Sequence, residues 1–210
     1  MSSLSFNPTV EPIAYTIEQV NTVAPHDWQN FVLAVTDTFW RLPSILRPYD
    51  EQHRALTDAS GLFPDSGVLV FSGETDAEHR PDVITVERIR SNNTLCVQEF
   101  TPQHQPYDFF SRLVMVLLHS LCPNNFRVHS SAGEASWSMP LRWLNRNLGW
   151  PVLSAPLSPS SVTVMAGSVD ELLLTFLSDP KRSLNKDDWR ILTEAEHHLY
   201  QLKAENFYEY

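Results

Sequence analysis

YDFFSRLVMVLLHSLC, residues 107–122, is the stretch that decides the fold. Its apolar residues leave only one narrow polar stripe on a helical wheel, formed by Asp108, Ser111, Arg112 and His119. A helix wet on so little of its circumference belongs in the interior, packed against a sheet. Asp108 and Arg112 stand one turn apart, the right spacing for an ion pair along such a buried seam. Pro106 precedes the block and Pro123 stops it.

Strand-like runs lead up to this helix. GVLVFSG (67–73) is short, apolar and β-branched. VITVERIR (83–90) and TLCVQEF (94–100) follow, separated by Ser91-Asn92-Asn93. Asn tolerates positive φ, so this spacing predicts a three-residue hairpin loop. A symmetric hairpin sets Arg88 opposite Cys96 and places Glu87 and Glu99 on one face. Both faces of that hairpin are partly apolar, so the sheet is expected to be covered on both sides. FRVHSS (126–131) reads as a further strand, and a short one is expected within Ile13–Val20.

Five further helices accompany the strands in this reading. The first runs from Pro25 or His26 to Leu42, with Pro in its first turn and Pro43 after its end. Trp28, Phe31, Val32, Val35 and Phe39 share one face, whereas Leu33 and Trp40 fall on another. A shorter helix is expected over Asp50–Ser60 and a third over Pro140–Leu148. PVLSAPLSPSS (151–161) is the expected linker. Beyond it come a strand at Val162–Ala166, a helix opened by the capping box Ser168–Glu171, and a last helix from Asn185 to Glu205. Helices mixed with an antiparallel hairpin point to the α+β class: a single domain over 1–210, with an antiparallel sheet of four to five strands packed on the buried 107–122 helix and further helices at both ends.

Composition narrows the function classes. Fifteen Lys and Arg against 25 Asp and Glu give a net charge of −10. That charge disfavours nucleic acid and anionic membranes. The start of the chain, MSSLSFNPTVEP, has neither a basic n-region nor an apolar h-region, so no signal peptide is expected. The longest uninterrupted apolar run, Leu113–Leu118, is far too short to span a bilayer. The 2 cysteines make no disulfide framework, and a cytoplasmic protein with reduced thiols is expected. Cys122 stands at a helix C-terminus, where the dipole disfavours a thiolate, and Cys96 stands in a strand.

Few residues suggest chemistry. His129, Ser130 and Glu134 lie in a loop rich in small residues, although the spacing is not that of a nucleophile elbow. Glu87 and Glu99 form a candidate carboxylate pair, and His119 a candidate ligand-lining residue. An enzyme built on these groups is one reading. The ExxH at Glu194–His197 is half of a di-iron motif without its other half, so no metal and no cofactor are expected. The other reading is a protein-binding module: an accessory protein, adaptor, chaperone or inhibitor of the immunity type. Its contact residues are Leu33 and Trp40, together with Arg142, Trp143 and Arg146, because Trp and Arg dominate interface hot spots.

Overall fold

The computed structural model describes residues 12–76, 80–91, 96–102, 105–133, 135–149, 153–156, 174, 175 and 177–179. In chain order these form β1 (Tyr15–Gln19), α1 (Pro25–Arg41), two short 3-10 turns (Ser44–Leu46 and Ala59–Leu62), β2 (Val68–Phe71), β3 (Ile84–Glu87), β4 (Val97–Phe100), α2 (Tyr107–Leu121), β5 (Phe126–Ser130) and α3 (Ala135–Asn147). The architecture is α+β, with two antiparallel sheets among the described residues.

Every residue of α2 from Phe109 to Leu118 is buried, including Ser111 and Arg112. The two polar side chains keep their partners inside the protein. The Ser111 hydroxyl donates to the Tyr107 carbonyl at 3.0 Å, and Arg112 pairs with Asp108 at 3.1 Å. Phe110 meets Phe71 of β2 edge-on at 5.1 Å, and Phe109 meets Trp143 of α3 at 6.3 Å. α1 lays Trp28, Phe31, Val35 and Phe39 into the same core. The Trp28 indole N–H donates to the Ser66 carbonyl at 2.9 Å. α1 ends at Arg41, and Leu42 after it is extended (φ −74°, ψ 142°), as a residue before proline tends to be.

Among the described residues the strands form two sheets rather than one of four to five: β4, β1 and β5 make a three-stranded sheet in that order, and β2 makes a two-stranded one with β3. The expected hairpin between 83–90 and 94–100 is therefore corrected. β3 aligns Val86 with Leu69 of β2, and β4 aligns Phe100 with Tyr15 of β1. Period-2 alternation marks a strand without naming its partner, and here sequence neighbours went to different sheets. Residues 92–95, the expected hairpin loop, lie outside the described residues.

The expected two-sided cover is corrected as well. Tyr15 and Ile17 point into the core, whereas Thr16 and Glu18 turn outward beside the exposed Val97, Glu99, Arg127 and His129. One face of this sheet meets solvent.

Two helix boundaries also differ. Over 50–60 the chain forms a turn, because the Asp50 carboxylate accepts from the backbone N–H groups of Gln52 and Arg54, both at 2.9 Å. Such local side-chain bonds compete with the helical ladder. α3 starts at Ala135, before Pro140, and carries that proline inside it. Pro140 has no N–H for the Ser136 carbonyl four residues back. Arg112 Nη1 reaches across from α2 and donates to that carbonyl at 3.5 Å.

Within the expected linker, Leu153 and Ala155 are buried in the core, and Ser154 exchanges hydrogen bonds with Ser120 at the end of α2. Residues 174, 175 and 177 are helical, and Leu174 and Leu177 join the same core. The expected strand at 162–166, the capping box and the last helix lie outside the described residues.

Candidate functional site

The residues singled out for chemistry do not meet. Cross-strand register sets Glu99 opposite Thr16, and Thr16 opposite His129. Glu99 and His129 thus share the solvent-facing side of the three-stranded sheet, two strand spacings or about 10 Å apart. Glu87 is exposed on β3, in the other sheet, which corrects the expected Glu87–Glu99 pair. Ser130 follows His129 on the same strand and so faces the opposite way. It is 2% exposed, and its hydroxyl lies 2.6 Å from that of Ser136 and accepts from the Ala132 N–H. That serine organises the turn into α3. Glu134 is outside the described residues. His119 is half-buried in the last turn of α2, and burial holds its imidazole below the ordinary 6.5.

A serine–histidine contact does exist elsewhere, at residues the sequence reading passed over. Ser72 Oγ lies 2.9 Å from His53 Nδ1. Arg80 Nε donates to His53 Nε2 at 3.2 Å, so that nitrogen is the acceptor and the ring proton sits on Nδ1. Nδ1 donates toward Ser72 Oγ and the Gly73 carbonyl, and the Ser72 hydroxyl donates to the Asp82 carbonyl at 3.1 Å. A histidine that donates to serine cannot take its proton. Ser72 is also 0% exposed. The arrangement is a clamp, and it holds His53 at φ +60°, a backbone region rare for a residue with a side chain.

Two cavities bear on function. One, of about 200 Å³, lies between the two sheets, with Gln19, Glu87, Cys96 and Gln98 among its walls. Here the Gln98 carboxamide acts like a fragment of strand. Its Oε1 accepts from the Thr85 N–H at 2.9 Å, and its Nε2 donates to the Val83 carbonyl at 2.6 Å. Gln19 Nε2 donates to the Glu87 carbonyl at 2.8 Å. The edge of β3 that β2 leaves unpaired is thus met by glutamine side chains.

The other cavity, of about 240 Å³, is walled by Arg47, Tyr49, Leu56, Glu74, Gln105 and Tyr107, among others. Gly73 packs behind it, where any Cβ would collide with the Tyr107 ring. Arg47 Nε, Gln105 Oε1 and the Tyr107 hydroxyl are buried without a hydrogen-bond partner. Burial, with the negative charges of Asp82 and Asp108, pushes the Tyr107 hydroxyl above its ordinary pKa, so it stays protonated. Little in the sequence signals this wall: Arg47 stands in a loop between Pro43 and Pro48, and TPQHQP (101–106) reads only as a break after a strand.

The candidate contact residues divide. Leu33 is 54% and Trp40 is 45% exposed. Trp143 is corrected: it is fully buried, with its indole N–H donating to the Leu177 carbonyl at 3.0 Å, so it serves the core and offers no surface. Arg146 is exposed and Arg142 half-buried. Cys122 is buried, and desolvation, helped by the charge of Asp27, pushes its thiol up to about 12. Among the described residues no three His, Cys, Asp or Glu groups gather as a metal site, and no helix is long and apolar enough to cross a membrane. The ExxH at Glu194–His197 lies outside them. No protein-family model, curated protein or solved structure matches the chain.

Proposed function

We propose that the protein is an acidic protein-binding module of the cytoplasm, an accessory, adaptor, chaperone or inhibitor of the immunity type, acting through the outer side of α1. The observation that carries this reading is the exposure of Leu33 and Trp40, seven residues apart on one side of a helix whose other side already fills the core. Trp40 is also held in place. Phe39 meets its ring edge-on at 5.2 Å, and the Arg47 guanidinium lies 5.4 Å from its centre. A rigid, exposed Trp loses little entropy on docking, which is what a hot-spot anchor requires. Arg146, exposed on α3, offers a further polar contact.

The test is Trp40→Ala and Leu33→Ser, each compared with wild type in quantitative cross-linking and affinity purification from the native cell. A partner held by wild type should be lost from both variants, with association weakened about thirtyfold or more, as for a hot spot of roughly 2 kcal/mol. The denaturation midpoint should stay near that of wild type. If both variants retain every partner of the wild type, this surface is not the contact.

A further inference from the structure

Among the described residues β5 stands at one end of the three-stranded sheet, with β1 along only one of its edges. The register tells which of its backbone groups face outward. Ser131 N–H donates to the Ala14 carbonyl at 2.9 Å, and Val20 N–H donates to the Asn125 carbonyl at 2.7 Å, at the two ends of the β1–β5 ladder. In an antiparallel ladder every second residue exchanges its bonds with the residue opposite. Arg127 and His129 therefore bond to Glu18 and Thr16, and the N–H and C=O groups of Phe126, Val128 and Ser130 point away from β1.

The outermost of these groups are used inside the chain. Phe126 N–H donates to the Cys122 carbonyl at 3.3 Å, and the Ser130 carbonyl accepts from Gly133 N–H at 3.0 Å. Between them, the Phe126 carbonyl, both backbone groups of Val128 and the Ser130 N–H have no hydrogen-bond partner among the described residues. An edge with open donors and acceptors is a template for another strand. The edge of β3 differs, because Gln98 and Gln19 side chains meet it.

What β5 leaves open fits a second copy of itself. With a twofold axis at Val128 and the two β5 strands antiparallel, Val128 N–H meets the Val128 carbonyl of the second copy. Ser130 N–H meets the Phe126 carbonyl of that copy, and the axis repeats both bonds. Every open group finds a partner. Phe126 N–H and the Ser130 carbonyl, already used, fall at the outer ends of the new ladder, where the turns stop it. On the inner side the half-buried Val128 stacks on its copy, and on the outer side Arg127 stands opposite His129.

We propose that the chain dimerises by antiparallel pairing of β5 with β5 of a second copy, giving one sheet continuous across a twofold axis. Each copy uses this edge once, so assembly closes at two. The ladder is short, and a net charge of −10 on each copy opposes the approach, so the dimer is weak and tightens with added salt. It does not depend on whether Leu33 and Trp40 contact a protein.

Sedimentation of the full chain from about 10 μM to 1 mM should show a rising dimer fraction. Amide hydrogen exchange followed by NMR over the same range identifies the surface. Val128 and Ser130 N–H should exchange severalfold more slowly at the highest concentration than at the lowest, whereas Arg127 and His129 N–H, bonded to β1, exchange slowly throughout. His129→Lys sets a like charge opposite Arg127 of the second copy and should weaken the dimer about fivefold, and His129→Glu should tighten it by a similar factor. His129 is exposed, so neither variant touches the core. A chain that stays monomeric over the whole range overturns the proposal. A dimer in which Val128 N–H exchange ignores concentration also overturns it, because another surface then holds the copies together. So does a Val128 N–H protected at every dilution, because the edge is then covered within one chain.

Discussion

Arg112 shows how one buried side chain repairs a defect made elsewhere in the chain. Pro140 deprives α3 of a backbone bond, and Arg112 supplies a donor to the stranded Ser136 carbonyl while pairing with Asp108. Arg112→Met should cost about 3–5 kcal/mol in chemical denaturation, because it breaks the ion pair with Asp108 and leaves the Ser136 carbonyl without its donor. In a Pro140→Ala background the same substitution should cost measurably less, since alanine restores the helical donor that proline lacks. Equal costs in the two backgrounds would show that Arg112 does not stand in for that donor. The thiols differ in the same way. With Cys122 raised to about 12 by burial and Cys96 partly exposed, a thiol reagent at mildly alkaline pH should titrate one group in the native protein and two in denaturant. His119 adds a pH dependence. Its folded pKa lies below the ordinary 6.5, so its contribution to stability is complete above pH 6.5 and is lost as pH falls through the lower folded value. His119→Gln should flatten the acid side of the midpoint-versus-pH curve, and an unchanged slope would contradict this.

At the scale of elements, α1, α2 and the strands over 67–73 and 126–131 were legible because their signals are local. Helical periodicity, flanking prolines and β-branched runs need no knowledge of distant residues. Pairing was not legible. VITVERIR and TLCVQEF suit each other as a hairpin, yet each found a better partner: Ile84 and Val86 alongside Phe71 and Leu69, and Phe100 against Tyr15, with ring centres 5.6 Å apart. The relation between the two segments survives through Gln98, which satisfies two backbone groups of the β3 edge. Losing both bonds by Gln98→Ala should cost about 1–3 kcal/mol. Gln98→Glu should be worse at neutral pH, because a carboxylate oxygen would then face the Val83 carbonyl, and part of the loss should return on acidification. A Glu variant as stable as wild type at pH 7 would refute this geometry. By contrast, Leu117→Ala in α2 should cost about 2–5 kcal/mol at any pH, since it empties packed volume.

For the whole molecule, the outer surface was easier to foresee than the inner cavities. Leu33 and Trp40 could be placed off the buried face of α1 from a helical wheel alone, because that argument uses one helix. Trp143 was misjudged because nothing local says that Leu174 and Leu177 join the core and that the Leu177 carbonyl accepts from the Trp143 indole. The Arg47 cavity was invisible for the same reason: its walls come from the loop after α1, the stretch after β2 and the approach to α2, and no motif joins them. The Gln98 carboxamide also has a meaning beyond stability. A strand edge with free N–H and C=O groups is a template on which a second chain can add its own strand. Two positions of the β3 edge are already taken, Thr85 N–H and Val83 C=O, by a side chain that ends after one amide and cannot propagate a ladder. Gln98 thus terminates the sheet chemically, so the protein is guarded against edge-to-edge aggregation at those two positions.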